Sequence, residues 1–194
     1  TALRGLGLLL VFGVAMTEIG KYYGLPVYIN VGLTDAKRPD AQAGLEAAAT
    51  LLLGAAAGAD IFGHLGISGV DQASSLEMLA MQHEVVRYVE SVLRGVEVSD
   101  ETLGLDEIDA VGPGGSFIDR EHTVRHFRRE LWFPRLIDRA YYDAWREAGA
   151  TSMEERCCAQ VREILRTHRP EPLPDDLRRE IDGIVTAAAR ELEG

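Results

Sequence analysis

One stretch of the chain, residues 24–44, runs from an apolar, strand-like segment through a polar loop into an alanine-rich helix. Its strand segment, PVYINV at residues 26–31, is β-branched and aromatic and begins after a glycine. Asp40 stands where an aspartate caps a following helix. A second short apolar run, residues 60–66, follows that helix. Two strand–helix steps in succession imply a parallel sheet with helices packed outside it, so we expect an α/β fold.

The spacing of apolar residues predicts helices over most of the remaining chain. They are expected at residues 2–23, 41–57, 76–93 and 103–111, and then almost continuously from residue 119. Ser74 and Glu77 fit a capping box at the start of the third of these helices. Its packed side is expected to carry Leu76, Leu79, Ala80, His83 and Val86. A complete eight-fold barrel needs about 250 residues, so 194 residues agree with a partial barrel or a smaller α/β domain.

The charge balance limits the partners that the chain can have. Aspartate and glutamate total 31 against 20 lysines and arginines, for a formal net charge of −11 at pH 7. This balance repels polyphosphate, so nucleic acid is not an expected partner. It tolerates a cationic ligand, although an ordinary acidic surface explains the charge equally well.

Two features bear on the compartment. Cys157 and Cys158 are adjacent in a helical stretch, so their side chains point in different directions and neither a disulfide nor a metal pair is expected. A reducing cytoplasm suits such thiols. The most apolar segment, residues 5–16, is too short to span a bilayer. We expect it to form a buried core helix rather than a signal peptide, and we expect no membrane partner.

Polar residues follow the two predicted strands. Asp35 lies in the loop after the first strand, His64 lies between glycines at the end of the second, and Asp71 lies in the next loop. The carboxyl ends of parallel strands are where α/β folds build ligand sites. His64 is therefore a candidate for moving a proton or orienting a substrate. A core histidine bonded to a carbonyl, and a loop aspartate that bonds only its own backbone, remain open alternatives.

Two further motifs have features of ligand sites. His122 and His126 lie four residues apart on one helical face, a spacing that can hold a metal. No third ligand is evident nearby and arginines share that side, so we expect no metal. We expect instead a basic helix face that forms salt bridges or docks a partner. Residues 112–115, GPGG, match neither a Walker loop nor GxGxxG and are expected to form a turn, an anion cradle being the alternative.

GLTDAKRPDAQAG at residues 32–44 and GPGGSFIDREHTVRHFRRELWFP at residues 112–134 resemble the carboxyl-terminal part of the trimethylamine methyltransferase family, which includes the glycine betaine methyltransferases. The resemblance covers nearly the whole chain. It implies a partial TIM barrel, in which residues 1–118 are the last βα units and residues 119–194 a helical tail packed on the barrel, as one domain. It also implies methyl transfer from a methylated amine to the Co(I) of a corrinoid protein. The cobalamin would then be carried by that partner, and no cofactor would be bound tightly by this chain.

The resemblance also directs the choice of site residues. A quaternary ammonium has no N–H to donate, so it binds through aromatic faces and carboxylates. The expected substrate-binding residues are Tyr28, Phe62 and Asp71, and the expected catalytic residues are His64 and Asp35. Trimethylamine-specific members of the family carry pyrrolysine near residues 30–32, where this chain has ordinary residues. The resemblance therefore favours a quaternary amine such as glycine betaine.

Other functions stay open. The chain could be a non-catalytic barrel subdomain that acts by self-association or through a partner chain, because missing strands leave a parallel edge that must be covered. For the same reason an enzyme of this kind is expected as a homo-oligomer or with a companion barrel half. An unrelated α/β enzyme would instead bind a phosphate-bearing cofactor at residues 112–115.

Overall fold

The computed structural model describes residues 5–69 and 71–193 as a mainly helical arrangement with four short strands. In chain order the elements are α1 (Gly5–Tyr22), β1 (Tyr28–Asn30), α2 (Ala41–Ala56), β2 (Ile61–Gly63), β3 (Ile67–Ser68), β4 (Ala73–Ser74), α3 (Leu76–Leu93), α4 (Asp100–Leu103), α5 (Leu105–Val111), α6 (Glu121–Glu130), α7 (Tyr142–Glu147), α8 (Met153–Thr167) and α9 (Asp175–Glu193). The predicted start of the first helix, at residue 2, lies outside the described residues.

The predicted strand–helix–strand unit is present. β1 and β2 pair in parallel, with Tyr28 opposite Ile61, Ile29 opposite Phe62 and Asn30 opposite Gly63. α2 connects the two strands, whereas β3 and β4 form a separate antiparallel ribbon. Within the described residues the strands do not close into a barrel. The helices and the parallel strand pair agree with an α/β class. They do not establish the expected partial TIM barrel.

Within the part of the chain that the structure describes, helices cover only one face of the β1–β2 sheet. Ile29 is 6% exposed, whereas Tyr28 and Ile61, on the opposite face, are each 54% exposed. The prediction that both strands are buried is therefore wrong for this open face, meaning the side of the sheet that carries Tyr28 and Ile61. Both strands are also shorter than predicted. β1 ends early because Gly32 turns the chain with a φ of +77° and donates its N–H to Thr50 Oγ1.

Two clusters of buried side chains hold the helices in place. The first packs the covered face of the sheet against α2 and α3 and consists of Ile29, Val31, Ala47, Leu51, Val85 and Val89. The second brings α8 to the loop after β1 and consists of Ala36, Ala43, Met78, Met81, Leu136 and Cys157. Burial raises the pKa of the Cys157 thiol to about 11. Both cysteines are free, as predicted.

Helix ends agree with the sequence more closely than helix faces do. The Asp40 side chain caps α2 by accepting from the N–H groups of Gln42 and Ala43, as predicted. α3 has nearly the predicted bounds, but its cap is Ser75, whose Oγ accepts from Met78 N–H, rather than Ser74. Ser75 is the cap because it lies three residues before Met78, and a capping side chain accepts from the N–H two or three residues later.

The packed side of α3 matches the predicted one only at Ala80 and Val86, which are partly buried against the two clusters. Leu76 and Leu79 are 49% and 41% exposed, and His83 is exposed as well. The buried residues are Met78, Met81, Gln82, Glu84, Val85 and Val89. Because two of these are polar, a count of apolar residues alone places the face incorrectly.

Glu84 explains why residues 131–141 are not helical, although a continuous helical pattern was predicted there. Its carboxylate accepts hydrogen bonds from the N–H of Arg135 at 2.6 Å and of Leu136 at 2.8 Å. Pro134 also disfavours a helical conformation in the residue before it. The backbone therefore obtains its hydrogen bonds from α3 instead of from a helix of its own.

Contacts divide the chain into two compact units, one ending at Val161 and the other beginning at Arg162. The second unit contains the end of α8 and the whole of α9. The proline-rich residues 170–174 separate these two helices, as predicted. None of the described helices is long and apolar enough to cross a membrane.

Candidate functional site

A tyrosine and a histidine meet on the open face of the sheet, near the carboxyl end of β2. The Tyr28 hydroxyl lies 3.3 Å from His64 Nδ1, and the two ring centroids are 6.3 Å apart. Gly63 makes this approach possible, because a Cβ at that position would collide with the Tyr28 phenol. Strand pairing thus brings together two side chains that are 36 residues apart in the sequence. Among the described residues, the partner of the His64 ring is the Tyr28 hydroxyl and not a core carbonyl.

Phe62 lies on the other face of the sheet. It stands opposite Ile29 in the parallel register and packs against the buried cluster that contains Ile29 and Leu51. Successive side chains of a strand point to opposite faces, so Phe62 cannot share a surface with Tyr28. The expectation that both aromatic rings line one ligand mouth is therefore not met.

Asp35 is positioned through its backbone. The Asp35 N–H and the Thr34 hydroxyl both donate to Glu46 Oε2, at 2.9 and 2.6 Å. Burial alone would raise the pKa of Glu46, but hydrogen bonds from Thr34, Gln42 and Asp35 outweigh it and hold this pKa below its usual value. The charged Glu46 carboxylate thereby ties the loop after β1 to α2. The half-buried Asp35 carboxylate makes no hydrogen bond to the described residues.

His64 and Asp71 share an uncommon backbone conformation, with φ values of +68° and +60°. Histidine and aspartate tolerate this left-handed region better than most residues. Asp71 lies exposed in the turn between β3 and β4. No hydrogen bond among the described side chains connects Asp35 or Asp71 to the Tyr28–His64 pair. The structure therefore joins Tyr28 to His64 and leaves the two aspartates on neighbouring loops.

A buried glutamine fastens the two loops to each other. Gln82, which is 0% exposed, donates from Nε2 to the Gly32 carbonyl at 2.7 Å and accepts at Oε1 from the Gly66 N–H. The Gly69 N–H also donates to the Ala36 carbonyl at 3.0 Å. A buried backbone group without a partner costs about 1–3 kcal/mol, so Gln82 fixes the ends of β1 and β2 relative to each other.

Gln82 is not among the site residues expected from the sequence, although its position carries a signal. Gln82 lies four residues after Met78 and three before Val85, within the buried stripe of α3. A polar residue inside an apolar stripe indicates a buried hydrogen bond, because burial without one is costly. It does not indicate which backbone groups that residue contacts.

The basic face of α6 forms salt bridges, which confirms that part of the prediction. The pairs are Arg120–Glu107, Arg125–Glu101 and Arg129–Glu97. His126 Nε2 also lies 3.1 Å from Glu101 Oε1, and His122 Nε2 lies 2.7 Å from the Glu101 carbonyl oxygen. Glu101 is thus a third potential ligand beside the two histidines. It lies 21 and 25 residues before them, so the spacing of residues within α6 does not reveal it.

Residues 112–115 form the predicted turn between α5 and the segment that leads to α6. Gly112 and Gly114 have φ values of +67° and +77°. A Cβ on Gly115 would collide with Val111, so the chain reverses in a space that only glycine fits.

Comparison with known proteins identifies a family that this chain matches over most of its length. The family model described as trimethylamine methyltransferase (MTTB) matches residues 9–193. A trimethylamine methyltransferase MttB of Desulfitobacterium hafniense is 34% identical over 170 residues, covering 88% of this chain and 34% of that protein. An MttB of Methanosarcina barkeri is 31% identical over 180 residues, covering 93% of this chain and 36% of that protein. A glycine betaine methyltransferase of D. hafniense is 29% identical over 179 residues, covering 92% and 37%. The chain spans about a third of the length of these relatives.

Proposed function

This chain belongs to the trimethylamine methyltransferase (MTTB) family, and we propose that it contributes the methylated-amine site of a methyltransferase whose methyl acceptor is the Co(I) of a corrinoid protein. The observation that carries the proposal is the Tyr28–Gly63–His64 arrangement on the open face of the sheet. The relatives named for trimethylamine and for glycine betaine support a methylated amine as the substrate class.

We propose that β1 and β2 are neighbouring strands of a larger TIM-type barrel. Parallel sheets are normally covered on both faces, and here helices cover one face while Tyr28 and Ile61 stay 54% exposed on the other. The open face would then line the inside of the barrel. The length of the relatives, about three times that of this chain, leaves room for the remaining strands.

The substrate chemistry suits an aromatic surface. A methylated ammonium cannot donate a hydrogen bond, so a ring face that attracts its positive charge is the contact that recognises it. In this proposal Tyr28 provides the ring, and His64 orients it through the contact at 3.3 Å. Asp35 and Asp71, on the adjoining loops, would add negative charge near the cation.

The reaction demands positioning rather than proton transfer. The C–N bond of the methyl group breaks with its electron pair left on nitrogen, so an ammonium already departs as a neutral amine. The corrinoid of the partner protein supplies the nucleophile. The residues of this chain then act by holding the methyl carbon in line and by excluding water. Ordinary residues at positions 30–32 support a quaternary amine such as glycine betaine as the substrate.

A methyl-transfer assay tests this function. The 194-residue chain is incubated with reduced corrinoid protein and a panel of methylated amines, and methylation of the cobalt is followed by its absorption spectrum. We expect transfer from at least one quaternary amine, and at least about a tenfold loss in His64→Ala and Asp35→Ala. Tyr141→Phe, a change at an exposed tyrosine, serves as the control. Absence of transfer from every amine contradicts the proposed function, and unaffected variants contradict the choice of residues.

A further inference from the structure

A second group of chemically active side chains lies away from the sheet, between α4 and α6. His122 and His126 stand one turn apart on α6 with their rings stacked, the centroids 4.3 Å apart. Glu101, from α4, faces both of them. One ligand atom from each of the three residues lies within 4.8 Å of the other two. Two imidazoles and a carboxylate therefore converge from two helices that are separate in the sequence.

A cavity of about 420 Å³ adjoins this cluster. Its charged and titratable lining residues are Asp100, Glu101, Asp106, Glu107, His122 and Arg125. Arg120 pairs with Glu107, and the other three carboxylates against the one guanidinium of the lining leave a negative balance that attracts cations. The cavity also leaves space beside the cluster for water molecules bound to an ion.

We propose that Glu101, His122 and His126 bind one divalent transition-metal ion of the zinc type. Imidazole nitrogen and carboxylate oxygen suit Zn²⁺, and such ligands bind it at about 2.0–2.2 Å. A tetrahedral Zn²⁺ site with those bond lengths holds its ligand atoms about 3.4 Å apart, so atoms that now lie up to 4.8 Å apart must approach one another by about 1 Å. Glu101 is more than half exposed and can make such a shift. Three protein ligands leave at least one position for water from the cavity.

Binding must replace contacts that exist without the ion. The hydrogen bonds from His122 and His126 to Glu101 would be exchanged for bonds to the metal. Arg125 lies 3.2 Å from Glu101 Oε1, and Arg129 contacts His126 Nδ1 at 3.1 Å. Both guanidiniums are more than half exposed, and pairs of that kind contribute little, so they can withdraw at small cost. Arg125 is therefore a competitor of the metal for Glu101.

Titration calorimetry of the full chain with Zn²⁺ tests the site. We expect one ion per chain and at least about a tenfold loss of affinity in His122→Asn, His126→Asn and Glu101→Gln. Arg125→Gln is expected to raise the affinity several-fold, because it frees the carboxylate. His168→Asn and Cys158→Ser change a histidine and a thiol outside the cluster and serve as matched controls. Thermal melts without metal identify any variant that fails to fold.

Three results would overturn the proposal. The first is no binding of Zn²⁺ by the unchanged chain. The second is equal affinity in the His122→Asn/His126→Asn double variant, which would place the ion elsewhere. The third is weaker binding by a folded Arg125→Gln, since a purely structural network loses a contact in that variant and gains no free ligand.

Discussion

At Gly63, a hydrogen in place of a side chain lets the Tyr28 phenol lie across β2 and reach His64. Glycine is therefore required at this position for the room that its missing side chain leaves, and not for an unusual backbone conformation. Gln82 has the complementary role on the covered side, where its amide holds the loops that begin at Gly32 and Gly66. The geometry of the candidate site depends on these two residues, although neither would touch substrate.

Gly63→Ala is expected to destabilise the chain by about 1–3 kcal/mol, because the new methyl group displaces the Tyr28 ring. The measurement is the free energy of unfolding in urea for Gly63→Ala, Tyr28→Ala and the double variant. In the Tyr28→Ala background the added methyl group finds space and should cost less. Strictly additive effects would show that the two residues do not interact as described.

Gln82→Ala is expected to cost about 2–4 kcal/mol, because it leaves the Gly32 carbonyl and the Gly66 N–H buried without partners. Chemical denaturation measures the loss. Gln72→Ala, in the exposed turn between β3 and β4, is the matched control and should change stability by less than about 0.5 kcal/mol. Similar effects in the two variants would refute the bridging role.

Among the elements, α1 and the sheet are joined by a carboxylate at the amino end of β2. Lys21 of α1 donates to both oxygens of Asp60 at 2.6 Å, and the Val27 N–H donates to Asp60 Oδ2 at 2.7 Å. The Lys21 hydrogen bond, together with that of Val27, lowers the pKa of Asp60. A carboxyl group whose pKa is lower in the folded state stabilises that state above its unfolded pKa.

Asp60→Asn is therefore expected to lower the melting temperature at pH 7. The stabilisation by Asp60 is lost as pH falls through its folded-state pKa, below the ordinary aspartate value of about 3.9. Thermal melts across the acidic range should thus bring the variant and the original chain together. Asp109→Asn, at an exposed aspartate of α5, supplies the reference. A deficit in Asp60→Asn that stays constant down to pH 2 would contradict this account.

The elements also indicate which features a sequence can predict. Helix bounds were predictable at Asp40 and Gly58, because a cap or a left-handed glycine acts within a few residues. The packed side of α3 was not, because Gln82 and Glu84 are buried by bonds to backbone about 50 residues away. The bonds of Glu84 to the backbone of residues 135 and 136 act over the same distance, although Pro134 is a local signal for the interruption at residues 131–141.

For the candidate site, the pairing of neighbouring strand ends was predictable and the choice of face was not. Tyr28 and His64 come together because β1 and β2 pair in parallel, which the strand–helix–strand pattern indicates. Phe62 stands opposite Ile29, and the alternation of side chains along β2 therefore places it on the covered face, away from Tyr28. Glu101 had no local signal at all, since its partners on α6 follow more than 20 residues later.

For the molecule as a whole, the open face of the sheet is the feature that separates this chain from a closed α/β fold. Comparison of two isoleucines tests it. Ile29→Ala, on the covered face, is expected to cost about 2–5 kcal/mol, whereas Ile61→Ala, at a residue 54% exposed, is expected to cost less than about 1 kcal/mol. Equal costs would mean that another surface covers the open face in solution.

An NMR titration of the ¹⁵N-labelled chain with glycine betaine and with 3,3-dimethylbutanoate, in which a neutral tert-butyl group replaces the trimethylammonium, tests whether the open face binds a methylated ammonium. We expect glycine betaine to shift the amide resonances of Gly63 and His64, and the tert-butyl analogue to bind at least about tenfold more weakly because it lacks the positive charge that the Tyr28 ring attracts. Equal binding of the two compounds, or shifts confined to residues away from the ends of β1 and β2, would contradict this expectation.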